Sequence, residues 1–271
     1  MSEPHVRIVV VLYRTRLSRV RPLLEQLAGS QVLPHVTVIV AINKDGWAPQ
    51  RLRRRRVAVL PRLTLEVHIG ANVAGVTSAY NRVISEAAPN DIMVLLDGDS
   101  RLPASYFGEL WSHRQLLLAG LNFVSPELFS GPVRVSPYRL HGMRPRVIAG
   151  ALGAKRRFEF IEHIGVINAA LAGSVQSFRA VDGFSARINL DLSDVVWSIR
   201  AARAGASLTL LPTPHSHELS MFAGGFAAPR LRRYLLACWR LGRETGDLAG
   251  YVMMCARGVR AFVRGLRLRH G

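Results

Sequence analysis

The stretch "VLLDGDSRLP", residues 94 to 103, sends an apolar run into two aspartates, Asp97 and Asp99, and ends it at Ser100 and Pro103. Two carboxylates so close repel each other unless something cationic sits between them. Hard oxygen ligands suit Mg²⁺ or Mn²⁺, ions that share their coordination shell with substrate phosphates. A second chemistry makes Asp97 a phosphate-accepting nucleophile with Asp99 as its acid-base partner; it needs a later lysine, and Lys155 is the only one downstream. A third reading is a solvated turn, since D-G-D-S is good turn chemistry alone. Two later segments add to the first. "LDLSDVVW" sets Asp191 and Asp194 just before or at a helix start, where a carboxylate can cap the helix or serve as a general base. "PTPHSHEL" places His215 and His217 at a strand end, where an imidazole can complete a metal shell.

These residues need elements to hold them. Val6–Leu12, Val36–Ile42 and Leu63–Ile69 read as strands, and "DIMVLLD" as a fully buried one. Val20, Leu23, Leu24 and Leu27 follow helical spacing up to Gly29, and a second amphipathic helix runs from Gly75 through Val76, Ala79, Tyr80, Val83, Ile84 and Ala87. The alternation predicts an α/β fold, a mostly parallel sheet with helices on both faces. In such sheets ligands bind beyond the carboxyl ends of the strands, where Asp97 and Asp99 fall. Arg53–Arg56 reads as a solvated face or loop. Glu127 to Glu162, rich in Gly, Pro and Arg, reads as a long loop region with at most a short strand or helix. Order returns at Gly165–Phe178, followed by a helix from Asp194 to Ala204 and a strand Ser207–Leu211.

The last forty residues read as helical and basic. Leu231, Tyr234, Leu235, Cys238 and Trp239 form one stripe; Arg257, Arg260, Arg264 and Arg267 form another, beside Val259, Phe262, Val263 and Leu266. A basic amphipathic helix suits an anionic membrane surface or packs on the domain with its arginines solvated. The 271 residues carry a formal charge of +18, and Lys44 and Lys155 are the only lysines. Such a charge draws a protein to polyanions: nucleic acid, anionic membrane or phosphorylated substrates. No known nucleic-acid motif is present, and no apolar run approaches the roughly 20 residues needed to span a bilayer. The start reads as a first strand, not a leader, and Cys238 and Cys255 lack metal spacing and read as free thiols in a reducing cytoplasm.

The order of motifs resembles a family-2 glycosyltransferase of the GT-A fold, most similar to the bacterial rhamnosyltransferase branch, over most of residues 6 to 220. "VVVLYR" is similar to the family's opening nucleotide-binding strand, "GANVAGVTSAYNRVI" to its asparagine-glycine helix entry, and "VLLDGDS" to its D-x-D strand. "VDGFSARINLDLSDVVWSIRAARAG" resembles the acceptor-side segment with the catalytic acid, and "HSHEL" the late histidine motif. The resemblance implies a Rossmann-like, mixed, mostly parallel sheet flanked by helices, with a C-terminal helical extension. It implies a GT-A domain over 1–220, with a nucleotide-binding half at 1–103 and an acceptor-side half at 104–220, then a basic helical extension at 221–271. It also implies that Asp97, Asp99 and His217 hold Mn²⁺ or Mg²⁺, and that Tyr13, Asn43, Gly75, Asn81 and Asp97 hold the nucleotide. Asp194 would be the base of an inverting transfer, best matched to L-rhamnose from dTDP-rhamnose, with a dTDP- or UDP-sugar as donor class. The acceptor would be a cell-envelope glycan or lipid-linked molecule, met by a cytoplasmic enzyme peripheral on the inner membrane face; no nucleic acid is expected. The chain departs from the family pattern at Ile42, Asp182, Ser185, Ala186, Ser193 and Val196. The alternatives from other classes are a polyanion- or nucleic-acid-binding protein and a haloacid-dehalogenase-like phosphatase using Asp97.

Overall fold

The computed structural model describes residues 3–13, 16–30, 32–43, 53–70, 75–98, 100–148, 152, 156–217 and 228–270. Strands β1 (Val6–Tyr13), β2 (Val36–Asn43), β4 (Leu63–Ile69) and β5 (Ile92–Asp97) pair in parallel, with helices α1 (Arg21–Gly29) and α2 (Val76–Glu86) in the crossovers. The register pairs Val11 with Asp97 and Tyr13 with Asn43, so the carboxyl ends of three strands form one rim. Alternation sorts the side chains to two cores. Val9, Val11, Ile39, Ala41, Met93 and Leu95 face α2 and the aromatic cluster around Trp197. Ile8, Val10, Leu12, Val38, Val40, Val94 and Leu96 face α1 and Phe107 on the other side. A one-residue slip of β5 would exchange these sets, which pins where Asp97 emerges.

The nine-stranded sheet is mixed. Beyond β5 lie β13 (Leu171–Ser174), antiparallel to it, then β6 (Asn122–Ser125), β14 (Ser207–Leu210) and β11 (Arg157–Glu159). At the opposite edge, Arg53–Arg56 begins a strand, β3 (Arg53–Leu60), antiparallel to β4, rather than a loop. Its eight residues are all exposed, and Arg54 pairs with Glu86 of α2 at 2.5 Å. Charged side chains are what an open sheet edge needs, so a charge run that looks like a loop is edge protection. Helices α3 (Tyr106–Ser112) and α4 (Arg114–Leu118) lead into β6.

The Gly- and Pro-rich middle is also more ordered than its composition implies. Strands β7 (Leu128–Ser130) and β8 (Val133–Ser136) form one hairpin; β9 (Tyr138–His141) and β10 (Arg144–Val147) form another, joined by β12 (Ile164–Gly165). Strands of two to four residues are too short to show a period of two in sequence. After β13 come α5 (Val175–Ala180) and α6, which spans Ser193–Arg203 rather than Asp194–Ala204; Leu192 precedes it at φ 66°. Strand β14 ends at Leu210, and β15 (His215–Ser216) pairs in parallel with β7. Two long helices close the chain, α7 (Ala228–Thr245) and α8 (Leu248–His270). Tyr234, Cys238, Leu241, Met254 and Ala261 of this hairpin share a core with Tyr138, Leu140, Leu192, Val195 and Val196. Trp239, placed in the buried stripe by its spacing, is instead 46% exposed, edge-on to Tyr251 with the guanidinium of Arg243 above it.

Candidate functional site

Asp97 ends β5 at the rim, its side chain 42% exposed. Its backbone N–H donates to Ser100 Oγ at 3.1 Å and its carbonyl accepts from Ser100 N at 3.0 Å, a tight turn at the strand tip. Gly98 lets this turn lie on β1: a Cβ there would meet Leu12 Cδ2 at 2.4 Å. Asp99 lies outside the described residues. Tyr80 of α2 is buried beneath, and burial, reinforced by the charge of Asp97, raises its phenol well above the usual value.

The small sheet of β7 and β15 carries the late histidines to this rim. His217, 6% exposed, donates its backbone N–H to Phe129 O at 2.8 Å, and its Nε2 stands 3.8 Å from Asp97 Oδ2. That separation is too long for a hydrogen bond. His215 is buried, and among the described residues its Nε2 has no hydrogen-bond partner. Burial, then the neighbouring His217, lowers its pKa to about 4. Among the described residues no group of three potential metal ligands forms. The donor set of Asp97 and His217 fits a manganese-like ion that accepts oxygen and imidazole nitrogen together.

Tyr13 and Asn43 end β1 and β2 directly beside each other on the same rim, though their side chains lie outside the described ones. Gly75 precedes α2 at φ 111°, a conformation L side chains rarely adopt, and a Cβ there would lie 2.4 Å from Asn189 O. Asn81 is differently engaged. Its amide donates to Phe184 O at 2.7 Å and accepts from Phe184 N at 2.9 Å, so both ends hold the backbone that leads to α6. Gly75 and Asn81 thus brace the 183–192 segment against α2 and its entry.

That segment delivers Asp194 in the first turn of α6. Part of the residue reaches solvent, yet its carboxyl sits deep among protein atoms. Tyr138 Oη donates to Asp194 Oδ2 at 3.4 Å and lies 3.5 Å from Val166 O. Ser198 Oγ donates to Asp194 O at 2.8 Å. Burial raises the pKa of Asp194 to about 6; the backbone amides of the helix start pull it down, and the charge of Asp191 pushes it up. A carboxyl that titrates there can accept a proton near neutral pH. Asp191 is itself committed: Arg230 of α7 donates through Nη2 to Oδ1 at 2.7 Å, and through Nε to Oδ1 at 3.2 Å and Oδ2 at 3.3 Å.

Asp97, His217 and Asp194 are residues the sequence singles out. Tyr138 and Arg230 are not. Tyr138 sits in the stretch read as loop, and Arg230 is one arginine in a chain full of them. Only the contacts distinguish either.

No family model matches the chain, and no curated protein matches it by sequence. Solved structures do match in three dimensions. GalNAc-T7 with UDP, GalNAc and Mn²⁺ aligns at TM-score 0.58 and 10% identity, over 89% of this chain and 48% of that one. TarS 1–349 of S. aureus with UDP-GlcNAc aligns at 0.51 and 10%, over 95% and 72%. The mannosyltransferase PcManGT of Pyrobaculum calidifontis with GDP-Man and Mn²⁺ aligns at 0.55 and 14%, over 98% and 76%. This chain therefore spans about half of the GalNAc-T7 structure and roughly three quarters of the other two. At these identities the likeness establishes the architecture: the chain has the GT-A fold.

Proposed function

We propose that the chain is an inverting, metal-dependent glycosyltransferase that moves a sugar from a nucleoside diphosphate sugar to an acceptor hydroxyl. One observation carries this reading. In a fold shared with structures holding UDP, UDP-GlcNAc or GDP-Man, Asp97 and His217 approach to 3.8 Å at the strand rim, while a separate carboxyl, Asp194, titrates near neutrality. The motif resemblance favours a dTDP- or UDP-sugar, L-rhamnose from dTDP-rhamnose first, and a cell-envelope glycan or lipid-linked acceptor.

Asp97, Asp99 and His217 would hold Mn²⁺ or Mg²⁺, which when bound supplies positive charge against the departing diphosphate. Tyr13, Asn43 and Gly75 would hold the nucleotide, Tyr13 and Asn43 from the adjoining ends of β1 and β2. Asp194 takes the proton from the acceptor hydroxyl as its oxygen attacks the anomeric carbon. The bond from that carbon to the diphosphate breaks, the electron pair leaves with the diphosphate, and the configuration inverts. Tyr138 orients the carboxyl through Oδ2.

The C-terminal hairpin supports work at an anionic membrane surface. Leu248, Val252, Val259 and Val263 fall on one face of α8, all exposed, opposite the face formed by Met254, Gly258 and Ala261 against α7. Exposed Arg260 flanks the open stripe, while Arg257 turns back to donate to Pro145 O at 3.2 Å. An aliphatic stripe edged with arginine is what an interfacial helix presents to anionic lipid. No helix among the described residues is long and apolar enough to cross a membrane. The phosphatase alternative has less support: Asp97 lies on a central strand well inside the chain, and Lys155 lies outside the described residues.

The test is a melting-temperature and transfer screen of dTDP-, UDP- and GDP-sugars with Mn²⁺. A stabilising donor, lost in Asp97→Ala, supports the reading; no shift with any of them, with or without Mn²⁺, removes it. Sedimentation with phosphatidylglycerol vesicles, weakened in Val252→Glu/Val259→Glu, checks the membrane surface.

A further inference from the structure

The acid of the acceptor side is not held by its own helix alone. Asp191, three residues before Asp194, is only 8% exposed, and a buried carboxylate needs a compensating charge. Arg230 provides it from the first turn of α7, using two nitrogens on two oxygens. The same α7 packs Tyr234 and Cys238 into the core with Leu192 and Val195, the residues either side of the acid's turn. Three elements therefore converge on Asp194: β9 through Tyr138, its own turn through Asp191, and α7 through Arg230 acting on Asp191. Tyr234 and Cys238 of α7 also feel the charge of Asp191, and both are neutral at physiological pH because burial holds their protons on.

We propose that Arg230 is a positioning residue: its two-point ion pair with Asp191 keeps Asp194 the carboxyl that receives the acceptor's proton, and makes the C-terminal hairpin part of the catalytic apparatus. The charge of Asp191 pushes the pKa of Asp194 up, and the guanidinium of Arg230, held on both Asp191 oxygens, offsets that charge. The hairpin, remote from the strand rim in sequence, then sets the pH at which transfer begins.

The inference uses the transferase reading only for its rate measurement, so its test begins with a direct one. The carboxyl ¹³C shift of Asp194, assigned by its loss in Asp194→Asn, is followed against pH in the full chain. In Arg230→Met the midpoint should rise by up to roughly one pH unit, because the charge of Asp191, which pushes Asp194 up, loses its counter-ion. Arg230→Lys should recover part of that shift, because a point charge restores the sign without the fork. The double variant Arg230→Met/Asp191→Asn should return near the wild-type midpoint. Should Arg230→Met not fold, Asp191→Asn alone decides: removing the negative charge should lower the midpoint. An unmoved midpoint in folded Arg230→Met, or in Asp191→Asn, overturns the proposal. The acid limb of the transfer rate should move with the midpoint in each variant. If Asp194→Asn transfers sugar normally, the base assignment fails, while the carboxyl titration still decides whether Arg230 controls Asp194.

Discussion

The strand rim and the start of α6 each carry a carboxylate, but they are built in opposite ways. Asp97 stands at the tip of a parallel strand, 42% exposed, facing an imidazole it does not hydrogen-bond. Asp194 is enclosed by Tyr138, Ser198 and a helix start, and a further helix neutralises its neighbour. An acid that grips a cation gains from openness, since the ion and a diphosphate must enter between its oxygens. An acid that takes a proton gains from enclosure, since burial lifts its affinity for that proton into the working range. On the proposed reading, environment rather than residue type assigns the two roles.

The largest expected effects come from deleting each acid in turn. Asp194→Asn should lower transfer by about 10²–10⁴-fold, as for loss of a general base, and leave nucleotide binding in place. Asp97→Ala should remove both. Isothermal titration with nucleotide and Mn²⁺, beside a transfer assay, reads the contrast; equal loss of binding in both variants would erase the division of roles.

The pH dependence sharpens it. Asp194 binds its proton more tightly folded, at about 6, than at its ordinary 3.8. Its contribution to stability is therefore greatest at the acid end and declines as pH rises from about 4 to about 6. Transfer needs the ionised form and should rise through the same window. Melting temperature and rate should thus run in opposite directions there, and Asp194→Asn should flatten that part of the stability curve.

The braces between the two regions come next. Gly75→Ala sets a methyl 2.4 Å from the backbone oxygen of Asn189 at a φ of 111°, and should cost about 2–4 kcal/mol in denaturant unfolding. Gly98→Ala meets only the flexible tip of Leu12 at 2.4 Å and, at 3.3 Å, Val11 O, so about 1–2 kcal/mol is expected. A larger loss at Gly98 than at Gly75 would reverse the ranking of which contact holds the site. The smallest effect belongs to the sheet edge: Arg54→Ala breaks an ion pair that is nearly half exposed on both sides and should change stability by under about 0.5 kcal/mol.

Much of the strand rim was legible in sequence. Leu63–Ile69 is a strand with the bounds its alternation predicts, and the apolar run ending at Asp97 is the buried central strand. Gly98, between the two aspartates, has a steric reason only the packing on Leu12 shows. The acceptor side was half legible. Asp194 could be named from its helix start, but not its enclosure.

The sequence by itself determined the alternating α/β order, the apolar strands, the carboxylate-bearing tip and the basic amphipathic character of the chain's end. These are properties of neighbours along the chain, and periods of two or 3.6 residues record them directly. Tertiary structure alone decided that Arg53–Leu60 is an edge strand, that strands of two to four residues order the Gly- and Pro-rich middle, and that Trp239 faces solvent. It also decided that Tyr138 reaches Asp194 across 56 residues and Arg230 reaches Asp191 across 39. Hydrogen bonds and ion pairs between remote positions leave no period in a single sequence; they exist only once the core has closed and set the distances.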